Sequence, residues 1–226
     1  MNRNAAAAML LSQMECPASM EAEFHDWYDH EHIPERMAVP GFQSTMRYEV
    51  EGDGPRYLAR YDLEDLSALE HPDYVKVKAN PSKRTEKILS SVSLFTRYVA
   101  TVFSDRRQDG APERPEEAPY ILIAAFAVPR EEEKDFDAWY EEEHTDLLMK
   151  AEGWWRCVRL KVGSGDPEPW TDIAVHEVAG LDTLESPERL ESRKTPWARR
   201  MQNRPWFQAG GMIVYRKFAA FDSREG

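Results

Sequence analysis

The segment FHDWYDHEH at residues 24–32 recurs as FDAWYEEEH at residues 136–144, and this repeat decides the expected fold. The two copies lie 112 residues apart, and further residues align downstream of them. At this offset, or at 115 after a three-residue insertion, the aligned pairs are Gly41 and Gly153, Arg47 and Arg159, Tyr57 and Asp172, Tyr61 and His176, and Phe103 and Phe218. A match of this length predicts two homologous units in one chain.

The composition agrees with two globular units. The chain has 226 residues, of which 42% are hydrophobic and 31% charged, so it can bury a core. Residues 104–118 are charged and rich in proline, with no apolar period, as in a solvated linker. We therefore predict a first repeat at residues 9–103, a linker at 104–118 and a second repeat at 119–218.

Each repeat shows the same order of predicted elements. An apolar run opens the repeat, and apolar residues at spacings of three and four then indicate a helix, which Pro34 is expected to end in the first copy. Two alternating stretches, a second helical segment and a closing apolar stretch follow. The order βαββαβ predicts an α+β fold of tandem ferredoxin-like repeats that pack sheet to sheet as a pseudo-symmetric barrel.

Charge and motifs exclude several function classes. The net charge of −12 opposes a nucleic-acid backbone, and no apolar run is long enough to span a membrane. The start of the chain is too short and quickly polar for a signal peptide, and the two cysteines, Cys16 and Cys157, form no disulfide pattern, so we expect a cytoplasmic protein. Nucleotide-binding, phosphate-loop and serine-hydrolase motifs are absent.

Residues Tyr28 and His32 share one helix face, as do Tyr140 and His144 in the second copy. A histidine at the end of such a face is expected to be half-buried, and an imidazole is a common general acid or base at neutral pH. The predicted catalytic set is His32, Glu31, Tyr28 and Tyr61, and the second-repeat candidates are His144, Glu143, Tyr140 and His176. The alternative is a structural histidine stabilised by the helix dipole.

Further residues complete the expected site of the first repeat. Trp27, Arg47, Tyr48 and Tyr57 are the predicted substrate-binding residues, with Trp27 and Tyr57 packing on a substrate ring. Arg47 either binds a substrate carboxylate or is an exposed strand arginine. Because Tyr61 and Tyr57 become His176 and Asp172 in the second repeat, the two pockets differ chemically and at most one is expected to be active.

Two other features of the sequence concern a metal site and an aromatic segment. A metal site is not expected, since His30 and His32 project in different directions from one helix. The aromatic and basic segment at residues 197–207 is either a lid, an interface or ordinary packing.

The motif Phe24-x-x-Trp27-Tyr28-x-x-Glu31-His32-Ile33-Pro34, together with Pro40-Gly41-Phe42, resembles the dimeric α/β-barrel superfamily and especially its EthD-like branch. The resemblance covers both repeats and implies that the barrel forms within one chain. It implies a pocket between sheet and helices with His32, and less directly His144, as pocket residues. In the second copy, Thr145-Asp146 replaces Ile33-Pro34, which departs from the pattern.

The leading hypothesis is a cofactor-independent lyase or isomerase, of dehydratase, decarboxylase or cyclase type, acting on an aromatic or conjugated small molecule. His32 is the expected general base or acid, oriented by Glu31, and Tyr28 and Tyr61 bind the oxyanion. The alternatives are a non-catalytic barrel that binds a hydrophobic ligand, and a haem- or oxygen-using member of the monooxygenase type. Neither nucleic acid nor membrane is an expected partner, and a homodimer of the whole chain remains open.

Overall fold

The computed structural model describes residues 6–167 and 169–222, which form two compact units. Of the described residues, the first unit comprises 6–101, 163–167 and 218–222, and the second comprises 102–162 and 169–217. Residues 1–5, on which the localisation prediction partly rests, lie outside the described residues. The units are therefore not consecutive halves of the chain. Three long strands, at residues 93–107, 154–166 and 211–222, each have residues in both units.

The first unit contains a four-stranded antiparallel sheet with the strand order β4-β1-β3-β2. Its elements are β1 (Ala8–Glu15), a 3-10 turn (Ala18–Met20), α1 (Glu21–Trp27), a π-helical turn (Tyr28–His32), α2 (Ile33–Met37), β2 (Phe42–Val50), β3 (Tyr57–Leu63), a 3-10 turn (Leu66–Leu69), α3 (Pro72–Ala79), α4 (Lys83–Leu89) and β4 (Ser93–Arg107).

The second unit has the corresponding strand order β8-β5-β7-β6. Its elements are a 3-10 turn (Pro115–Glu117), β5 (Tyr120–Phe126), α5 (Glu133–Trp139), a π-helical turn (Tyr140–His144), α6 (Thr145–Leu148), β6 (Trp154–Asp166), β7 (Asp172–Val178), a 3-10 turn (Asp182–Glu185), α7 (Pro187–Ser192), α8 (Pro196–Gln202), α9 (Pro205–Gln208) and β8 (Gly211–Asp222). The α+β class predicted from the sequence is confirmed.

In each unit the helices cover one face of the sheet. In the first unit, Phe24 and Trp27 of α1 pack with Leu10 of β1 and Ala59 of β3 in one buried cluster. In the second unit, Phe136 and Trp139 belong to a corresponding cluster with residues of β5 and β7. Alternate residues along a strand point to the same face, so the helix-facing residues of β3 include Tyr57, Ala59 and Tyr61.

The prediction that Pro34 ends the first helix is wrong. The helical segment passes through a π turn at Tyr28–His32 and continues to Met37, with Pro34 in the first turn of α2. Proline has no N–H to donate within the helix, yet the helical segment continues past Pro34 to Met37. The second unit has the same π turn at Tyr140–His144 with Asp146 in the place of Pro34, so proline is not the cause of the turn.

The π turn changes which rings meet. A spacing of four residues predicts that His32 stacks on Tyr28, whereas the wider turn, with hydrogen bonds between residues five apart, brings it closest to Trp27. The ring centroids of His32 and Trp27 are 4.3 Å apart, compared with 4.9 Å for His32 and Tyr28. The second unit repeats this geometry, with 4.4 Å between Trp139 and His144.

Strand β4 extends into the segment predicted as a linker. It continues to Arg107, and polar contacts hold its charged end within the second unit. Ser104 donates a hydrogen bond to the Glu141 carboxylate at 2.7 Å, and the Asp105 carboxylate pairs with Arg156 at 2.7 Å. Asp105 is therefore paired and not solvated, through a partner that the local sequence does not reveal.

Candidate functional site

A cavity of about 150 Å³ lies between the sheet and the helices of the first unit. Three of the four predicted catalytic residues, His32, Tyr28 and Tyr61, line it. Its apolar wall includes Leu10 and Met14 of β1. A cavity of this volume accommodates a benzene-sized ring, so its dimensions suit a small aromatic or conjugated molecule.

His32 is held as a neutral imidazole at this cavity. Its residue is 8% exposed, and no described residue offers a hydrogen-bond partner to its Nδ1 atom. Burial is the main reason that the pKa of His32 lies well below its usual 6.5, and the cations of Arg36 and Arg47 lower it further. A neutral imidazole keeps a lone pair, so it can accept a proton.

Tyr28 and Tyr61 provide two protonated phenols beside this imidazole. Burial raises the pKa of both hydroxyl groups, and the neighbouring Tyr28 raises that of Tyr61 further. Both phenols therefore keep their protons at neutral pH. Protonated hydroxyls donate hydrogen bonds, so the pair can stabilise negative charge that develops on a ligand oxygen.

Glu31 does not orient His32 as the sequence suggested. Its carboxylate accepts hydrogen bonds from Ser82 and, at 3.0 Å, from Thr85, at the N-terminus of α4. Thr85 in turn accepts the indole N–H of Trp27 at 2.9 Å. Glu143 has the same position in the second unit, where it accepts from Thr195 at 2.5 Å. These glutamates connect the first helical segment to a later helix, so their role in the structure is to hold the helices together.

Replacing Thr85 by valine is expected to destabilise the fold by about 1–3 kcal/mol, because the buried Trp27 N–H loses its acceptor. Urea denaturation measures this change. In a Trp27→Phe background there is no N–H to satisfy, so the same Thr85→Val change is expected to cost less. An equal cost in both backgrounds would show that the hydrogen bond is not the reason.

The structure places the four predicted substrate-binding residues outside the cavity lining. Trp27 is buried against Thr85, and the Tyr57 hydroxyl donates to the Glu21 carboxylate at 2.7 Å. Tyr48 alternates with Arg47 along β2, so its side chain lies on the sheet face away from the helices. Strand register decides these positions, and the sequence repeat does not fix it.

Arg47 is a buried structural cation, and the expectation of an exposed arginine is wrong. It is 2% exposed, pairs with the Asp29 carboxylate at 2.6 Å and donates to Nδ1 of His25 at 2.8 Å. Its guanidinium lies 4.4 Å from the centroid of the Tyr28 ring. These contacts use both terminal nitrogens of the guanidinium group, so Arg47 does not bind a substrate carboxylate in the way the sequence predicted.

The second unit has a smaller cavity of about 50 Å³, and the candidates His144, Tyr140 and His176 line it. Phe126 occupies the position of Met14 and narrows this cavity. His176 accepts a hydrogen bond from the indole N–H of Trp154 at 3.3 Å, so its Nδ1 lone pair is already used. His144 resembles His32 in that no described residue pairs with its Nδ1. The second unit therefore holds a similar histidine in much less space.

The segment at residues 197–207 packs within the second unit. Phe207 stacks on Phe126 with 4.8 Å between ring centroids, and Trp206 lies edge-on to Phe136 at 5.3 Å. Arg200 pairs with Asp135 at 2.9 Å. Of the three interpretations left open by the sequence, these contacts support ordinary packing.

Acidification is expected to destabilise the protein through two histidines of the second unit, His144 and His176. Burial lowers the pKa of His144 and of His176 to about 3, while an unfolded chain has values near 6.5. Below pH 6.5 the unfolded state therefore binds protons that the folded state does not. Each histidine then removes up to about 1.4 kcal/mol of stability per pH unit, from pH 6.5 towards about 3.

Urea midpoints at pH 7.5 and pH 5.5 test this expectation, with His144→Gln as the matched variant. The wild type should lose about 1.4 kcal/mol more than the variant over this range. Equal losses in both proteins would mean that His144 titrates normally.

The described residues show neither a membrane-spanning helix nor a metal-binding cluster. No helix among the described residues is long and apolar enough to cross a membrane. Within the same residues, no group of three or more histidine, cysteine, aspartate or glutamate side chains is placed to bind a metal ion.

Comparison with known proteins gives structural matches only. No family model and no curated protein sequence matches the chain. The solved structure of an anthrone oxidase-like protein matches with a TM-score of 0.70 and 12% identity, covering 98% of this chain and 95% of that one. A monooxygenase-like protein from Fusobacterium nucleatum subsp. nucleatum matches with a TM-score of 0.63 and 10% identity, covering 97% and 96%.

A variant of chlorite dismutase from Candidatus Nitrospira defluvii, in complex with cyanide, also matches, with a TM-score of 0.52 and 11% identity over 96% of this chain and 92% of that one. These structures are dimeric α/β barrels. The chain has this fold. At such low identity the likeness extends to the fold alone, so the dimeric α/β-barrel fold is confirmed, and membership in the superfamily and in its EthD-like branch stays a prediction.

Sequence reasoning missed several basic residues of the first cavity. Arg36, Lys78 and Arg97 line it together with the predicted histidine and tyrosines. The spacing of Tyr28, His32 and Arg36 by four residues is a signal that could have identified Arg36. Lys78 on α3 and Arg97 on β4 reach the cavity only through the tertiary fold, so no local pattern indicates them.

Proposed function

We propose that the chain is an enzyme and that the cavity of the first unit is its active site, where His32 transfers a proton on a conjugated small molecule. One observation carries this proposal: a buried, neutral imidazole with an unpartnered Nδ1 lines a ring-sized cavity together with two protonated phenols. Proton transfer by a placed histidine typically contributes 10²- to 10⁴-fold to a rate. The arrangement fits a lyase or isomerase.

The reaction begins at a C–H or O–H bond conjugated with a carbonyl group. The His32 lone pair takes the proton, and the electron pair of the broken bond moves through the conjugated system onto the carbonyl oxygen. Tyr28 and Tyr61 donate hydrogen bonds to that oxygen. The imidazolium then returns its proton at another carbon, which isomerises the molecule, or to a departing group, which completes an elimination.

An oxygen-using reaction is the second candidate, and the fold supports it. The structural matches include proteins described as anthrone oxidase-like and monooxygenase-like. Deprotonation of a conjugated substrate by His32 would be the shared first step, with dioxygen as the co-substrate instead of a returning proton. Oxygen consumption distinguishes this candidate from the first.

The residues around the two histidines do not fit haem. A cavity of about 150 Å³ holds a benzene-sized ring, whereas haem carries four pyrrole rings in one plane. The cavity beside His144 is smaller still, at about 50 Å³. Neither cavity therefore has room for a haem group.

We further propose a family branch, a location and an oligomeric state for the chain. The repeated motif supports two ferredoxin-like units of common origin that belong to the EthD-like branch, and the low cysteine content supports a cytoplasmic location. A homodimer of the chain stays a proposal, which size-exclusion chromatography with light scattering tests.

Incubation in D₂O tests the proposed function. The protein is mixed with a panel of monocyclic phenols, conjugated ketones and aromatic acids, and deuterium uptake, product formation and oxygen consumption are followed by NMR, mass spectrometry and an oxygen electrode. Deuterium uptake or a rearranged product without oxygen consumption is the expected result. Oxygen consumption favours the second candidate, and tight binding of a compound that returns unchanged would contradict an enzymatic role.

A further inference from the structure

The cavity of the first unit has a charge pattern opposite to that of the chain. The protein carries a net charge of −12, yet three basic residues, Arg36, Lys78 and Arg97, line this cavity, and none of the described aspartates or glutamates does. In a chain with 41 acidic and 29 basic residues, a wall of random composition would favour carboxylates. The cavity therefore presents a local positive field that the composition does not explain.

The partners of these three cations show which of them can bind an anionic ligand. Arg36 donates to the backbone carbonyl of His32 at 3.0 Å and lies 3.5 Å from the Glu35 carboxylate, so its charge is partly compensated. Arg97 is half-buried and donates to the Tyr74 hydroxyl at 3.2 Å, which is a neutral acceptor. Among the described residues, no carboxylate forms an ion pair with Arg97 or with the exposed Lys78. Both charges are free to bind a ligand.

We propose that this cavity takes an anionic ring compound, a carboxylate or a phenolate, whose charged group binds at Arg97 and Lys78 while its ring enters beside His32. The inference rests on the proposed function and narrows its substrate class. An arginine binds a carboxylate through two parallel hydrogen bonds, and a lysine adds a point charge. The apolar wall formed by residues such as Leu10 and Met14 suits the ring.

An anionic ligand would also improve His32 as a base. Burial and the nearby cations Arg36 and Arg47 disfavour the imidazolium, which keeps the pKa of His32 low. A negative charge bound at the cavity favours the imidazolium and opposes this effect. The substrate would thus help to create the basicity that its own reaction requires.

Binding of benzoate and of benzamide tests the proposal, since the two molecules differ mainly in charge. Isothermal titration calorimetry is expected to show that the wild type binds benzoate at least about tenfold more tightly than benzamide. Arg97→Gln should lose about tenfold in benzoate affinity, because it removes a charge-assisted hydrogen bond, and should keep its benzamide affinity. Lys78→Gln should reduce benzoate binding less, and more clearly at low salt.

Lys76→Gln is the matched control, because Lys76 lies on the same helix and carries the same charge but does not line this cavity. It should leave benzoate binding unchanged. Equal affinities for benzoate and benzamide, or a loss in Lys76→Gln as large as in Lys78→Gln, would overturn the proposal. Because Lys78 is exposed, its variant folds even if Arg97→Gln does not.

The result of the benzoate-binding test can be distinguished from the result of the deuterium-uptake test of the proposed function. Charge-dependent benzoate binding without deuterium uptake by any compound of the panel would support the anionic site and contradict the enzyme. Deuterium uptake into neutral compounds, unaffected by Lys78→Gln or Arg97→Gln, would support the enzyme and contradict the anionic site.

Discussion

Replacing Asp29 by alanine is expected to lower the free energy of unfolding by about 3 kcal/mol, because the change leaves a buried guanidinium without its carboxylate. Arg47 is 2% exposed, and Asp29 is the carboxylate with which it pairs, at 2.6 Å. The neutral His25 ring remains as an acceptor at 2.8 Å but carries no compensating charge. The side chain of Asp29 is 31% exposed, which places the cost at the lower end for a broken buried pair.

Glu141→Ala is the matched change in the second unit and should cost only about 1 kcal/mol. Arg159 lies 3.3 Å from Glu141 but also pairs with Asp137 at 2.7 Å and Asp172 at 3.4 Å, so it keeps two carboxylates. Urea denaturation at pH 7 with unchanged slope measures both losses. Equal effects in the two units would show that burial of the unpaired arginine is not the cause.

Replacing His32 by glutamine is expected to reduce turnover of the substrate, or deuterium uptake into it, by 10²- to 10⁴-fold. Glutamine has a similar polar end but cannot take a proton at neutral pH. Because His32 lines the cavity and pairs with no described residue through Nδ1, its loss removes the base without breaking a hydrogen bond of the fold. Urea denaturation should therefore show a much smaller change than the kinetic measurement.

His144→Gln is the control for this prediction. His144 contacts Trp139 as His32 contacts Trp27, but its cavity of about 50 Å³ is too small for a ring. Activity should stay within about twofold of the wild type. A large loss in His144→Gln together with an active His32→Gln would move the active site to the second unit.

The fold could be read from the sequence because its signals are local and repeated. The apolar spacing around Trp27 and Trp139 predicted the helices, and the breaks at Gly41 and Gly153 marked turns where the backbone has positive φ angles of 92° and 83°. Pro34 predicted the end of the first helix, but the helical segment continues to Met37, and the same π turn forms in the second unit without a proline.

The site was only partly predictable from the sequence, because some of its residues meet only through the tertiary fold. His32, Tyr28 and Arg36 follow one helical spacing, so sequence can bring them together. Whether Tyr61 or Tyr57 reaches the cavity depends on strand register, and the contribution of Arg97 depends on a strand far away in the chain. The ion pair of Arg47 likewise depends on the packing of β2 against the π turn, which holds Asp29.

The most direct test of the account is an NMR titration of the histidine rings, with His32→Gln and His144→Gln used to assign their signals. We expect the His32 ring to titrate well below pH 6.5, and its signals to move when benzoate or benzamide is added, while those of His144 do not. A His32 ring that titrates near pH 6.5, or ligand shifts at His144 and not at His32, would contradict the claim that the first unit holds a neutral base in a working cavity.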